Sequence, residues 1–277
     1  MRKMILAPLL FVLIFALFLP TAGAAGRERL NAVDKGAYTA SDTEAELAFG
    51  REVAARILAR FPLLDNNALN RYVGLVGTGL ASEGGRPDLQ YRFAVLDTDV
   101  PNAFAAPGGY VFITRGALYR MHDEAELAAV LSHEISHISR RHIVRSLNLR
   151  SGGGDAVGGL ARVIGGAGEV SRVAMGKLVD LAEEILFKKG YAVDDEIEAD
   201  ADAVALSGDV GYDPAALERY LARVEPPGEQ APVSMGVTHP GFGKRKSLID
   251  GVIKNDGLDA VKSADMKERF DENVKIR

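Results

Sequence analysis

Asp123-Glu124-Ala125-Glu126-Leu127-Ala128-Ala129-Val130-Leu131-Ser132-His133-Glu134-Ile135-Ser136-His137-Ile138 is the stretch whose reading decides the fold. Leu127, Val130, Leu131, Ile135 and Ile138 recur at the 3.6-residue helical period, so the segment reads as a substantially buried helix. Acidic residues open it, and Arg140, Arg141 and Arg145 follow, the polarity a helix dipole favours; the spacing predicts one helix over 123–145. Histidines on such a helix need a hydrogen-bond partner or something to coordinate.

Residues four apart share a helix face, so His133 and His137 can aim both imidazoles at one ion, with Glu134 beside them. Two neutral nitrogens and an adjacent carboxylate suit zinc-activated hydrolysis, Glu134 acting as the base. The plain alternative is an exposed face carrying two ordinary histidines among the chain's five. A third ligand is then required. His142, nine residues after His133, falls roughly 180° around a continuous helix at ~100° per residue, so it reads as a surface or packing residue. Downstream, Asp194-Asp195-Glu196-Ile197-Glu198-Ala199-Asp200 opens a second helical stretch that stays free of glycine until Gly208. Glu196 and Asp200 share a face there, one carboxylate for the ion and one to hold a ligand histidine by its other ring N–H. Taken alone, this run reads as a solvated acidic face. Taken with the first helix, it reads as the other half of a site.

These motifs resemble those of the zinc metallopeptidase family that includes HtpX and the CAAX prenyl proteases, and more closely its soluble, periplasmic BepA-like branch. Further matches are Asn102-Ala103-Phe104-Ala105-Ala106-Pro107-Gly108-Gly109, Thr114-Arg115-Gly116-Ala117-Leu118, Gly211-Tyr212-Asp213-Pro214, and Thr238-His239-Pro240 followed by Arg245. The resemblance implies that Glu196 is the third zinc ligand and Asp200 its supporting carboxylate. It gives His239 a catalytic part, either stabilising an oxyanion opposite Glu134 or closing the fourth zinc position in a latent enzyme; without it, His239 is a loop histidine before a proline. Asn102–Pro107 would form an extended edge that pairs with substrate backbone, and Asn102, Ala103, Phe104, Ala105 and Arg245 are counted as the substrate-binding residues. The sequence departs from the family where Ala192 and Val193 stand in place of a Ser-Arg pair.

Arg2 and Lys3, the apolar run to residue 19 and the small residues Ala22-Gly23-Ala24 read as a secretory signal peptide over 1–24, the alternative being a retained anchor. The run is short for a spanning helix. This places the protein in the periplasm, with no membrane span after cleavage. Cysteine is absent, which excludes a disulfide framework and a cysteine nucleophile. The net charge of −5, which becomes −7 once Arg2 and Lys3 are removed, argues against nucleic acid as a partner.

Residues 25–277 read as a single metallopeptidase domain of α+β class, a mostly helical zincin-type body with a small β-sheet. Its elements would be a helix over 42–60 with Ala45, Phe49, Val53 and Ile57 inward, a second from an Asp65 or Asn66 cap to Leu80, and strands at Leu89–Leu96 and Gly109–Thr114. Nothing after Asp250 resembles a helical repeat. Eight glycines in residues 152–168 predict either a disordered connection or a mobile lid. The resulting expectation is a Zn²⁺-dependent endopeptidase of the bacterial cell envelope, acting on misfolded or mis-assembled polypeptides and meeting envelope-assembly partners. Two rivals are a latent zinc protein serving as a chaperone-like binding module, and a zinc hydrolase of non-peptide bonds.

Overall fold

The computed structural model describes residues 39–147, 160–162, 164, 168–224, 242–260 and 264–274. Helices dominate, and one three-stranded sheet accompanies them, as the α+β expectation required. Helix α1 runs Ala40–Arg60, two residues earlier than the periodicity suggested. Thr39 and Asp42 form a reciprocal capping box at its start, which satisfies N–H groups the helix leaves open. Ala45, Phe49, Val53 and Ile57 line its buried face, while Leu47 and Leu58 are half-buried. Helix α2, Asn67–Gly84, is capped by the Asn66 side chain accepting from the Leu69 N–H.

The sheet has the order β1–β3–β2, with β1 (Arg92–Leu96) parallel and β2 (Ala103–Ala106) antiparallel to the central β3 (Tyr110–Thr114). Strand β1 starts later than Leu89 because the Leu89 N–H closes a turn on the Arg86 carbonyl. Between β2 and β3, Gly108 and Gly109 take φ of 77° and 96°, a region closed to most side chains, and so make the reversal at Pro107. Alternation along the strands sorts their side chains into two cores. Val95, Ala105, Val111 and Ile113 face one side; Leu96, Phe104, Ala106 and Phe112 face α1 on the other.

After the short α3 (Arg115–Leu118), helix α4 spans Glu124–Ser139 and is buried on every side, as a helix crossing the middle of a core must be. Asp123 caps it through the Glu126 N–H. It packs against α7 (Val193–Asp209), α2 and the strands β2 and β3. The sequence pattern extended this helix to residue 145, and the structure corrects that. Arg141 adopts the left-handed conformation (φ 56°, ψ 39°), the chain reverses, and a separate helix α5 begins at His142 and ends at Ser146.

Helix α6 (Glu169–Glu184) closes with a π-helical turn, Ile185–Lys189, and leads into α7. Helices α8 (Ala216–Val224), α9 (Phe242–Asn255) and α10 (Lys267–Val274) complete the described fold. Within the glycine-rich stretch, Leu160 is buried in the second core, and most of the remainder lies outside the described residues. The 1–24 segment and His239 also lie outside them.

Candidate metal centre

Helix α4 supplies His133, Glu134 and His137, and α7 supplies Glu196 and Asp200. Close packing of the two helices brings three donors together. His133 Nε2 and His137 Nε2 stand 3.0 Å apart; Glu196 Oε2 is 3.6 Å from the first and Glu196 Oε1 3.5 Å from the second. All three side chains are buried, and their donor atoms lie within 4.8 Å of one another. Glu134, 5% exposed, follows directly on His133.

Both histidines are held from behind. His133 Nδ1 stands 3.0 Å from Asp200 Oδ1, a pairing that leaves Nε2 to face the cluster. Asp200 is itself fully buried and forked by Arg245, with Nε to Oδ2 at 2.8 Å and Nη2 to Oδ1 at 2.7 Å. Burial alone would raise the Asp200 carboxyl, but the Arg245 charge and hydrogen bonds hold it far below its ordinary range. For His133, burial pulls the pKa down and Asp200 with Glu196 more than reverses it. The sequence reading counted Arg245 with the substrate; in the fold this 2% exposed guanidinium is committed to Asp200.

His142 departs from its expected place. It is completely buried, with Nδ1 2.7 Å from His137 Nδ1 and Nε2 3.0 Å from Glu198 Oε2. The continuous-helix rotation that put it on the surface fails at the left-handed Arg141. Tyr191, which sequence reasoning passed over, stacks its ring on His137 at 3.9 Å and 15°. Burial, aided by the charges of Glu134, Glu196 and Asp195, pushes its phenol well up, so it stays neutral.

Strand β2 is an edge strand alongside this cluster. Asn102 and Ala103 share a small cavity with His133 and Arg245, while Ala105 lines another with His137 and Tyr191. Asn102 is fixed by mutual hydrogen bonds with Thr114: its N–H donates to Thr114 Oγ1 and its carbonyl accepts from the Thr114 N–H, both at 2.9 Å. Phe104 points to the opposite side, into a cavity of about 610 Å³ with Phe61 and Phe187.

Residues 67–252, which contain every donor of the cluster, match peptidase family M48. The chain belongs to that family. M48 proteins are metallopeptidases, which implies a metal cofactor, and the buried donor set is the candidate place for it. Among its relatives, the beta-barrel assembly-enhancing protease of Escherichia coli K12 is 27% identical over 203 residues, 70% of this chain and 41% of that protein. The Protease HtpX homolog of Acidiphilium cryptum is 33% identical over 203 residues, 68% of this chain and 64% of that one. Mitochondrial metalloendopeptidase OMA1 of Schizosaccharomyces pombe is 28% identical over 183 residues, 65% and 51% of the two chains. The chain thus spans 41% of the length of the beta-barrel assembly-enhancing proteases it matches. Among the described residues, no helix is long and apolar enough to cross a membrane.

Proposed function

We infer that this M48 protein is a zinc-dependent endopeptidase of the bacterial cell envelope that hydrolyses peptide bonds in misfolded or mis-assembled proteins. The observation that carries the reading is the buried triangle of His133, His137 and Glu196. Its donor edges of 3.0, 3.5 and 3.6 Å bracket the ~3.4 Å between neighbouring ligands of a tetrahedral zinc with bonds of ~2.05 Å. Two imidazoles and one carboxylate are a donor set for zinc with a position left over. When bound, zinc supplies Lewis acidity, polarising a scissile carbonyl and lowering the pKa of a water to about 7.

The chain's own residues then handle protons and orientation. Glu134 takes a proton from the attacking water and returns it to the leaving amine. Arg245 and Asp200 hold His133, and Tyr191 fixes the ring plane of His137. A substrate strand laid along Ala103–Ala106 would run beside both histidines, with main-chain pairing that tolerates many sequences. His239 is placed in this scheme as an oxyanion donor or as a fourth ligand of a latent state.

The envelope location rests on the signal-peptide pattern of residues 1–24, and the substrate class on the similarity to beta-barrel assembly-enhancing proteases. Metal analysis with casein cleavage tests the chemistry. Glu134→Gln should keep one zinc per chain and lose proteolysis by about 10²–10⁴-fold. Loss of zinc in that variant, or full activity, would sink the assignment.

A further inference from the structure

His137 is tied to a chain of groups outside the donor triangle. His142 lies between His137 and Glu198, 2.7 Å from the first and 3.0 Å from the second. The direction of the protons follows from the far end. Glu198 is paired with two guanidinium groups, with Arg145 Nη1 2.9 Å from its Oε2 and Arg140 Nη1 3.3 Å from its Oε1, which keep its carboxylate ionised. An ionised carboxylate only accepts, so His142 Nε2 carries the proton, and in the neutral imidazole its Nδ1 is then the acceptor. His137 Nδ1–H must then donate to His142, and His137 Nε2 is left with its lone pair toward His133 and Glu196.

We propose that His142 and Glu198 are positioning residues that fix the tautomer and aim of His137, as a His–His–carboxylate relay ending at the surface. The relay rests on the metal-site reading above and extends it: His133 is held by Asp200 directly, whereas His137 is held through a second imidazole. The charged groups around Glu198 agree with this role. Arg145 Nη1 is 2.9 Å from Glu198 Oε2 and its Nη2 3.3 Å from Asp195 Oδ1, and Arg140 Nη1 is 3.3 Å from Glu198 Oε1. His142, Asp195 and Glu198 could by spacing alone hold a second ion, but these two guanidinium groups already cover both carboxylates.

The test is zinc affinity by chelator competition on the full chain, with circular dichroism and thermal melting as controls. His142→Phe keeps ring volume and removes the acceptor; it should weaken zinc by about 10–100-fold while the fold survives. His142→Asn, which can accept from His137 and donate to Glu198, should recover part of that loss. Wild-type affinity in a folded His142→Phe would overturn the relay and make His142 a packing residue. Should that variant fail to fold, the partly exposed Glu198 carries the test: Glu198→Ala should weaken zinc more than Glu198→Gln, and equal, wild-type affinity in both would overturn the relay. Failure of the unmodified protein to bind zinc would instead strike the metal assignment.

Discussion

Asp200→Asn separates what the Arg245–Asp200–His133 chain does for the fold from what it does for the metal. Asp200 is 0% exposed, accepts the two hydrogen bonds of the Arg245 fork and lies 3.0 Å from His133 Nδ1. An asparagine retains one acceptor oxygen and turns an NH₂ group toward one of those donors. Arg245, 2% exposed, would keep its charge but lose the carboxylate it forks. Breaking a buried pair in this way costs about 3–5 kcal/mol. For a domain of this size ~1 kcal/mol corresponds to a melting shift of ~2–4 °C, so the metal-free protein should melt at least about 6 °C lower. Zinc affinity should also fall by about 10–100-fold, because His133 loses the carboxylate that sets its tautomer. Pairing the change with Arg245→Met removes the stranded charge: stability should largely return, but zinc affinity should not. The assays are urea unfolding of metal-free protein and chelator competition. Unchanged zinc affinity in a stably folded Asp200→Asn would refute the positioning role, and a stability loss under about 0.5 kcal/mol would refute the buried-pair argument.

Three further outcomes are expected. Glu124 is fully buried and accepts from Tyr72, Tyr212 and Arg269, which outweigh burial and lower its pKa; its contribution is therefore complete above the unfolded carboxyl value of ~4.3 and lost as pH falls through the lower folded value. In Glu124→Gln the acid limb of a stability–pH curve should flatten, and an unchanged limb would contradict this. Gly50→Ala should destabilise by about 1–3 kcal/mol in thermal melts, since its Cβ would sit 1.8 Å from the Pro107 carbonyl oxygen and push α1 off the β2–β3 turn. His239→Ala should raise casein cleavage if His239 closes the zinc position and lower it, with zinc retained, if it stabilises the oxyanion; unchanged cleavage and coordination would return it to an ordinary loop residue.

The parts of the site that were legible in the sequence are those set by spacing within one regular helix. The i,i+4 pair His133–His137 and the i,i+4 pair Glu196–Asp200 each place two side chains on one face, and folding brings the two faces together. The cap at Asn66 and the buried stripe of α1 belong to the same class of local signal. Strand β2 is different. Ala103-Phe104-Ala105-Ala106 has little intrinsic strand preference, and its conformation comes from pairing with β3, so only the family resemblance marked it as extended. Arg86 binds the buried Glu46 at 2.7 Å, likewise a tertiary contact that no local period encodes. His142 and Glu198 were missed for one shared reason. Glu198 lies about 200° around the helix from Glu196, on the side a helical wheel gives to solvent, and His142 reaches it only because the chain reverses at Arg141.

That reversal is explained by the acidic run on α7. Four carboxylates at 196, 198, 200 and 202 alternate around the helix, so 196 and 200 point one way while 198 and 202 point another. The first pair meets His133, His137 and Arg245; the second meets the residues bracketing the break. Arg140 forks Asp202 at 2.8 and 2.9 Å, Ser136 donates to the same carboxylate at 2.7 Å, and Arg145 and His142 both reach Glu198. A left-handed residue other than glycine costs about 1–2 kcal/mol, and one hydrogen bond to a charged group contributes about 1.5–3 kcal/mol. A single such contact offsets the strained residue, and the break makes two, from His142 and Arg145 to Glu198. Had α4 continued straight through 145, His142 and Arg145 would leave α7, Glu198 would lose both of these partners, and His137 would lose its hydrogen-bond acceptor. The left-handed Arg141 therefore serves the α4–α7 interface and the candidate metal centre through the same contacts.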